Sequence, residues 1–160
     1  MIGWGALESD LRRRAIELGV DKDVLFLGQV DGPSHIPALD VLANSSLYEG
    51  MSYAFLEALS SGVPIVTTNV GGTDELISDG VTGYVCDPWN PNAFADYLQL
   101  LVDDPRRRSA MSNAARERAA RYSVANMVEA VADLYRRRCT RPHPAPVVPA
   151  NYETLPGNPE

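Results

Sequence analysis

The chain has 160 residues, of which 45% are hydrophobic, 8% aromatic and 22% charged, the make-up of one globular domain with a real core. No apolar run approaches a membrane span and no basic-then-apolar leader opens the chain, so a cytoplasmic location is expected. The net charge of −7 is uneven: residues 1–104 hold four basic and sixteen acidic side chains, residues 105–138 nine and three.

In chain order, Met1-Ile2 read as the last residues of a strand whose body is absent, followed by Gly3-Trp4-Gly5 and a helix over Ala6 to Leu18. A lone Gly-x-Gly is a weak phosphate-loop signal and is read as a strand-to-helix turn. Val24 to Leu27, Val41 to Ala43, Ile65 to Thr68 and Tyr84 to Cys86 read as strands. Between them fall a brief helix around Ile36, a helix after Ser52 and a turn of helix from Thr73 to Ile77. Such alternation implies parallel strands joined by crossover helices, an α/β Rossmann-like sheet. Three helices follow, over Pro91 to Val102, Pro105 to Tyr122 and Val124 to Arg138. From about Thr140, six prolines and few large apolar side chains predict a disordered tail, so the domain is assigned to residues 1–139 and the tail to 140–160.

Charge and cysteine usage narrow the chemistry. Cys86 and Cys139 fit neither a CxxC pair nor a disulfide framework, and with only two histidines, His35 and His143, metal binding has no support. The arginines at 106–108, 116, 118, 121 and 136–138 read as solvated helix faces. A basic helical end on an acidic domain also suits peripheral contact with an anionic membrane. Nucleic-acid binding is disfavoured, because the basic residues are not interleaved with aromatics.

The most informative stretch is Glu49-Gly50-Met51-Ser52-Tyr53-Ala54-Phe55-Leu56-Glu57. Ser52 is a candidate N-cap, with Phe55, Leu56 and Leu59 at core-facing spacing behind it. Glu49 then precedes the helix and Glu57 lies within it, about 7 to 8 Å along the axis from the cap. Unpaired N–H groups of the first turn suit an anion such as a phosphate. A carboxylate beside a diphosphate must face neutral hydroxyls, and two sugars flanking a diphosphate would supply them. Taken alone the pair also fits helix-dipole preference and a solvated face.

Several segments in order resemble the C-terminal, donor-binding half of a family 4 glycosyltransferase with the GT-B fold. They are Ile2 to Gly5, Val24 to Gly28, Asp40-Val41, Ser46 to Gly50, Phe55 to Ala58, Ser61 to Val66, Gly71-Gly72 with Glu75, and Asp79-Gly80 with Thr82-Gly83. The resemblance covers residues 2 to about 138. It implies that Glu49 acts as the catalytic carboxylate beside the donor sugar. It further implies that Glu57 accepts from the nucleotide ribose, that Gly50, Met51, Ser52, Tyr53 and Ala54 meet sugar and diphosphate, and that Gly28, Gln29 and Val30 lie along the nucleobase. A retaining, metal-independent transfer of a hexose from a UDP- or GDP-sugar follows, with no cofactor.

Two departures stand beside that resemblance. Trp4 occupies a position that is often acidic, and the family's basic pair for the diphosphate and its N-terminal acceptor domain lie upstream of this segment. An isolated donor half is expected to be inactive and, with a strand edge uncovered, to self-associate. The alternatives are a non-catalytic nucleotide-binding module and a GT-B sugar-nucleotide epimerase.

Overall fold

The computed structural model describes residues 1–139, so the proline-rich segment lies outside the described residues. Two units are present, residues 1–122 and the segment from Ser123. In the first, helix α1, Glu8–Glu17, and the short α2, Gly32–His35, continuing into a 3-10 turn at Ile36–Ala38, precede a three-stranded sheet. Its strands β1, Leu42–Asn44, β2, Ile65–Thr68, and β3, Gly83–Cys86, are all parallel in the order β1-β2-β3. Parallel neighbours require crossovers. Helix α3, Tyr53–Ser61, joins β1 to β2, and α4, Thr73–Leu76, joins β2 to β3.

The alternation of side chains along β2 decides where the core sits, because a strand covered on both faces buries every residue. Ile65, Val66, Thr67 and Thr68 are all buried. Ile65 packs in one cluster with Phe55, Ala58, Leu59, Leu76 and Ala115, and Val66 in another with Tyr84, Leu101 and Met111. The second cluster is completed by α5, Pro91–Asp103, and α6, Pro105–Ala119; Tyr97 of α5 stacks on Tyr84 at 4.5 Å between ring centroids. Both helices start where sequence places them. Asn90 accepts from Ala93 N–H at 3.1 Å and Asp104 from Arg107 N–H at 2.9 Å, each followed by a proline at the first helical position. The second unit is α7, Val124–Cys139.

Two expectations are corrected. Val24 to Leu27 is not a strand of the sheet: it pairs only with the first three residues, through the Met1 amino group to the Leu25 carbonyl, Leu27 N–H to the Met1 carbonyl and Gly3 N–H to the Gly28 carbonyl, and Leu25 and Leu27 stay exposed. The arginines of α6 are not simply a solvated face either. Arg107 donates to the Tyr84 hydroxyl at 2.7 Å, Arg108 to the Val102 carbonyl at 2.8 Å, and Arg116 to the Ser61 carbonyl at 3.0 Å. A guanidinium with five donors satisfies carbonyls that a helix or loop end leaves over, while its stem covers apolar surface. Arg12, Arg13 and Arg14, by contrast, are exposed and pair within α1 to Glu8, Asp10 and Glu17.

Candidate functional site

At the end of β1 the chain makes an Asx turn, with Ser46 N–H donating to Asn44 Oδ1 at 2.9 Å. This brings the Ser46 hydroxyl to Oε1 of Glu49 at 2.9 Å, with Asn44 Nδ2 at 3.4 Å from the same oxygen. Thr68, the last residue of β2, donates its hydroxyl to the Ser46 carbonyl at 2.5 Å. Half-buried Glu49 is thus held at the C-terminal ends of two parallel strands, the edge at which α/β sheets bind ligands.

Ser52 has the backbone of an N-cap, φ −74° and ψ 116°, and its carbonyl accepts from Phe55 and Leu56 N–H. The expected side-chain cap is absent. Phe55 N–H, one of the two donors such a cap would use, is already taken by the Ser52 carbonyl at 3.2 Å, and Ser52 is only 9% exposed. Among the described residues no acceptor reaches the N–H groups of Tyr53 or Ala54. A nine-residue helix therefore opens beside Glu49 with donors unspent.

Glu57 is half-buried on the same helix. Its carboxylate lies against the backbone of Gly32, where an added Cβ would stand 2.3 Å from Oε2, so a larger residue there would displace it. No donor among the described residues reaches this carboxylate. Gly32 opens α2, which Asp31 caps by accepting from Ser34 N–H at 3.1 Å. The residue that Glu57 touches thus lies just beyond the Gly28-Gln29-Val30 loop, in which Gln29 is exposed and Gly28 has φ 66°.

The Gly71-Gly72 turn lies close to the backbone of the loop that carries Glu49. Gly72, at φ 77°, has a left-handed backbone that other residues enter at a cost, and an added Cβ would sit 2.3 Å from the Gly50 carbonyl. One on Gly71 would sit 3.2 Å from the Glu49 carbonyl. The side chains of Tyr48, Met51 and Tyr53 are exposed, and that of Ala54 is half-buried. The structure brings Glu49, Gly50 and the start of α3 together, and Glu57 with the segment that follows Gly28. The sequence alone assigns no role to Asn44, Ser46 or Thr68 as supports of Glu49; an Asn-x-Ser at a strand end three residues before an acidic side chain is the signal it offers.

A sheet of parallel strands with a carboxylate and an open helix N-terminus at its C-terminal edge is a frame on which α/β proteins place ligands. The sequence model of the family described as glycosyl transferases group 1 matches residues 1–118, and the chain belongs to that family. It is 36% identical over 140 residues to a D-inositol 3-phosphate glycosyltransferase of Corynebacterium urealyticum, covering 85% of this chain and 33% of the relative. It is 35% identical over 126 residues to a GDP-mannose-dependent alpha-(1-6)-phosphatidylinositol monomannoside mannosyltransferase of Mycolicibacterium smegmatis, covering 72% and 33%. The fold matches the crystal structure of Anabaena Alr3699/HepE in complex with UDP, with a TM-score of 0.79 and 24% identity over 85% of this chain and 40% of that one. The α/β fold is thus that of GT-B glycosyltransferases, and the chain spans about a third of the length of these curated relatives.

Proposed function

We propose that this chain is the nucleotide-sugar-binding part of a retaining, metal-independent hexosyltransferase that uses a UDP- or GDP-sugar. The observation that carries the reading is the paired arrangement of Glu49 and Glu57 about a helix start whose Tyr53 and Ala54 N–H groups have no acceptor among the described residues. The diphosphate meets those donors and the backbone from Gly50 to Ala54, where the helix dipole favours negative charge. Glu57, with unspent lone pairs, accepts the ribose hydroxyls, and Gly28, Gln29 and Val30 run along the base. Glu49, fixed by Ser46, accepts from hydroxyls of the donor sugar. Stabilising the departing diphosphate with preset donors is the catalytic contribution that this part of the site makes. A relative named for GDP-mannose and a fold match solved with UDP support both bases as candidates. The acceptor half that completes such an enzyme is proposed as the partner.

Titrating the chain with UDP and with GDP while following backbone amides tests the reading. Binding is expected in the millimolar range, about −4 kcal/mol, with shifts centred on residues 50–57. Neither nucleotide moving those amides would refute the site.

A further inference from the structure

Helix α4 is one turn long, and its last carbonyls have no intrahelical donor. Two side chains from the far end of α6 and the turn after it supply the donors. Arg118 donates through Nε to the Leu76 carbonyl and through Nη2 to the Glu75 carbonyl at 2.7 Å, and the Tyr122 hydroxyl donates to the same Glu75 carbonyl. Arg118 and Tyr122 are both half-buried, so these bonds are partly shielded from water. The other end of α4 is Gly72, pressed against the Gly50 carbonyl, and Thr73 fastens it further by donating its hydroxyl to the Thr68 carbonyl at 3.3 Å. One short turn of helix therefore connects the Arg118–Tyr122 pair to the backbone of the loop that carries Glu49.

We propose that Arg118 and Tyr122 are positioning residues for the donor loop: by holding the C-terminal carbonyls of α4 they seat the Gly71-Gly72 turn on the Glu49-Gly50 backbone and so set the direction of the Glu49 carboxylate and the Gly50 to Ala54 amides. This rests on the reading of that loop as the donor site. The approach at Gly72 is close and backbone to backbone: a Cβ added there would stand 2.3 Å from the Gly50 carbonyl oxygen, so nothing larger than glycine fits between the two segments. On this proposal, a shift of α4 changes the fit of Gly72 against Gly50 and so reaches the loop that carries Glu49. A cation at the C-terminal end of α4 also complements its dipole, which makes arginine a better holder than a neutral donor.

The test compares Arg118→Met, Arg118→Lys and Tyr122→Phe with the wild-type chain, by amide shifts and hydrogen exchange without ligand, by UDP titration and by melting temperature. Arg118→Met is expected to shift the Gly50, Gly71 and Gly72 amides, to speed their exchange and to weaken UDP binding about three- to tenfold. Arg118→Lys should restore most of this, and Tyr122→Phe, which removes one hydroxyl and keeps the ring, should move the same amides by less. Shifts confined to residues 73–78 and 114–122, with Gly50 unmoved and UDP affinity unchanged, would overturn the proposal, whatever happens to the melting temperature. Should Arg118→Met fail to fold, the Tyr122→Phe amides decide the matter by the same criterion. A wild-type chain that ignores UDP would refute the donor site alone, because the ligand-free shifts at Gly50 still decide the coupling.

Discussion

Residues 1–35 and residues 36–119 are built on different terms. The first stretch has the periodicity of a helix and the composition of a strand, yet Ala15 is its one buried hydrophobic residue, and Trp4, Leu7, Ile16 and Leu25 are exposed. Its helix α1 carries ion pairs on its own surface, Arg12 with Glu8, Arg13 with Asp10 and Arg14 with Glu17, and meets the following segment through the Arg12 guanidinium, 4.3 Å from the Phe26 ring centroid. Such ion pairs are worth a few tenths of a kcal/mol each. The second stretch holds almost all the buried apolar side chains, and its helices are fixed by what they cover. Amphipathic pattern is thus enough to specify an element, while burial decides how firmly it is placed. The proposed site would draw on both, with Glu49 and Glu57 in the well-packed part and Gly28 to Val30 in the other.

The largest contrast should come from glycines. In Gly83→Ala the new Cβ meets the Ile65 carbonyl oxygen at 2.0 Å across the β2–β3 ladder, so about 4 kcal/mol of destabilisation or failure to fold is expected. Gly5→Ala, with no atom within 4 Å, should stay within about 0.5 kcal/mol by denaturant titration. Equal losses would erase the distinction between the two stretches.

Leucines give the next step. Leu59 is fully buried between α3 and the sheet, and Leu59→Ala should cost about 2 to 5 kcal/mol. Leu11→Ala on exposed α1 should cost under about 1 kcal/mol, and a loss as large as that of Leu59 would mean that α1 is packed far better than its exposure indicates.

The smallest effect concerns a charge at the α5–α6 junction. Donation from the Arg107 N–H, aided by its side chain, holds the Asp104 carboxyl below the usual carboxylate range. A carboxylate depressed in the folded state contributes stability above its unfolded pKa and loses it as pH falls through the folded value. Asp104→Asn keeps a cap without the charge, so its melting temperature should fall less than that of the wild type between neutral and acid pH. Curves that fall in parallel would show that Asp104 is not a source of acid sensitivity. Cys86, whose thiol is pushed up by burial and then by Asp87 and Asp79, stays neutral across the same range and does not confuse the comparison.

Legibility in the sequence follows the same division. Helix starts at Asn90-Pro91 and Asp104-Pro105 are legible because a cap and its proline are adjacent in the chain. The fully buried β2 is legible as a continuous apolar run ending in two threonines. Val24 to Leu27 looks similar, but a strand is defined by its partner, and partners are not local. The two glutamates stand out by their spacing. The hold on Glu49 does not, since the Thr68 to Ser46 bond exists only once β1 and β2 are in register. Arg116 and Arg118 look solvated in the sequence because the carbonyls they serve, at Ser61, Glu75 and Leu76, are far away in the chain.

The central claim is that Glu57 reads the ribose, and it is tested most directly by titrating UDP and 2′-deoxy-UDP into the wild-type chain and into Glu57→Gln. A half-buried carboxylate deprived of a hydroxyl partner is under-satisfied, so the wild type should bind the deoxy nucleotide more weakly by about 1 to 2 kcal/mol, about 5- to 30-fold, and Glu57→Gln should lose most of that discrimination while keeping its fold. A wild-type chain that binds both nucleotides equally, or a Glu57→Gln chain that discriminates as well as the wild type, would contradict it.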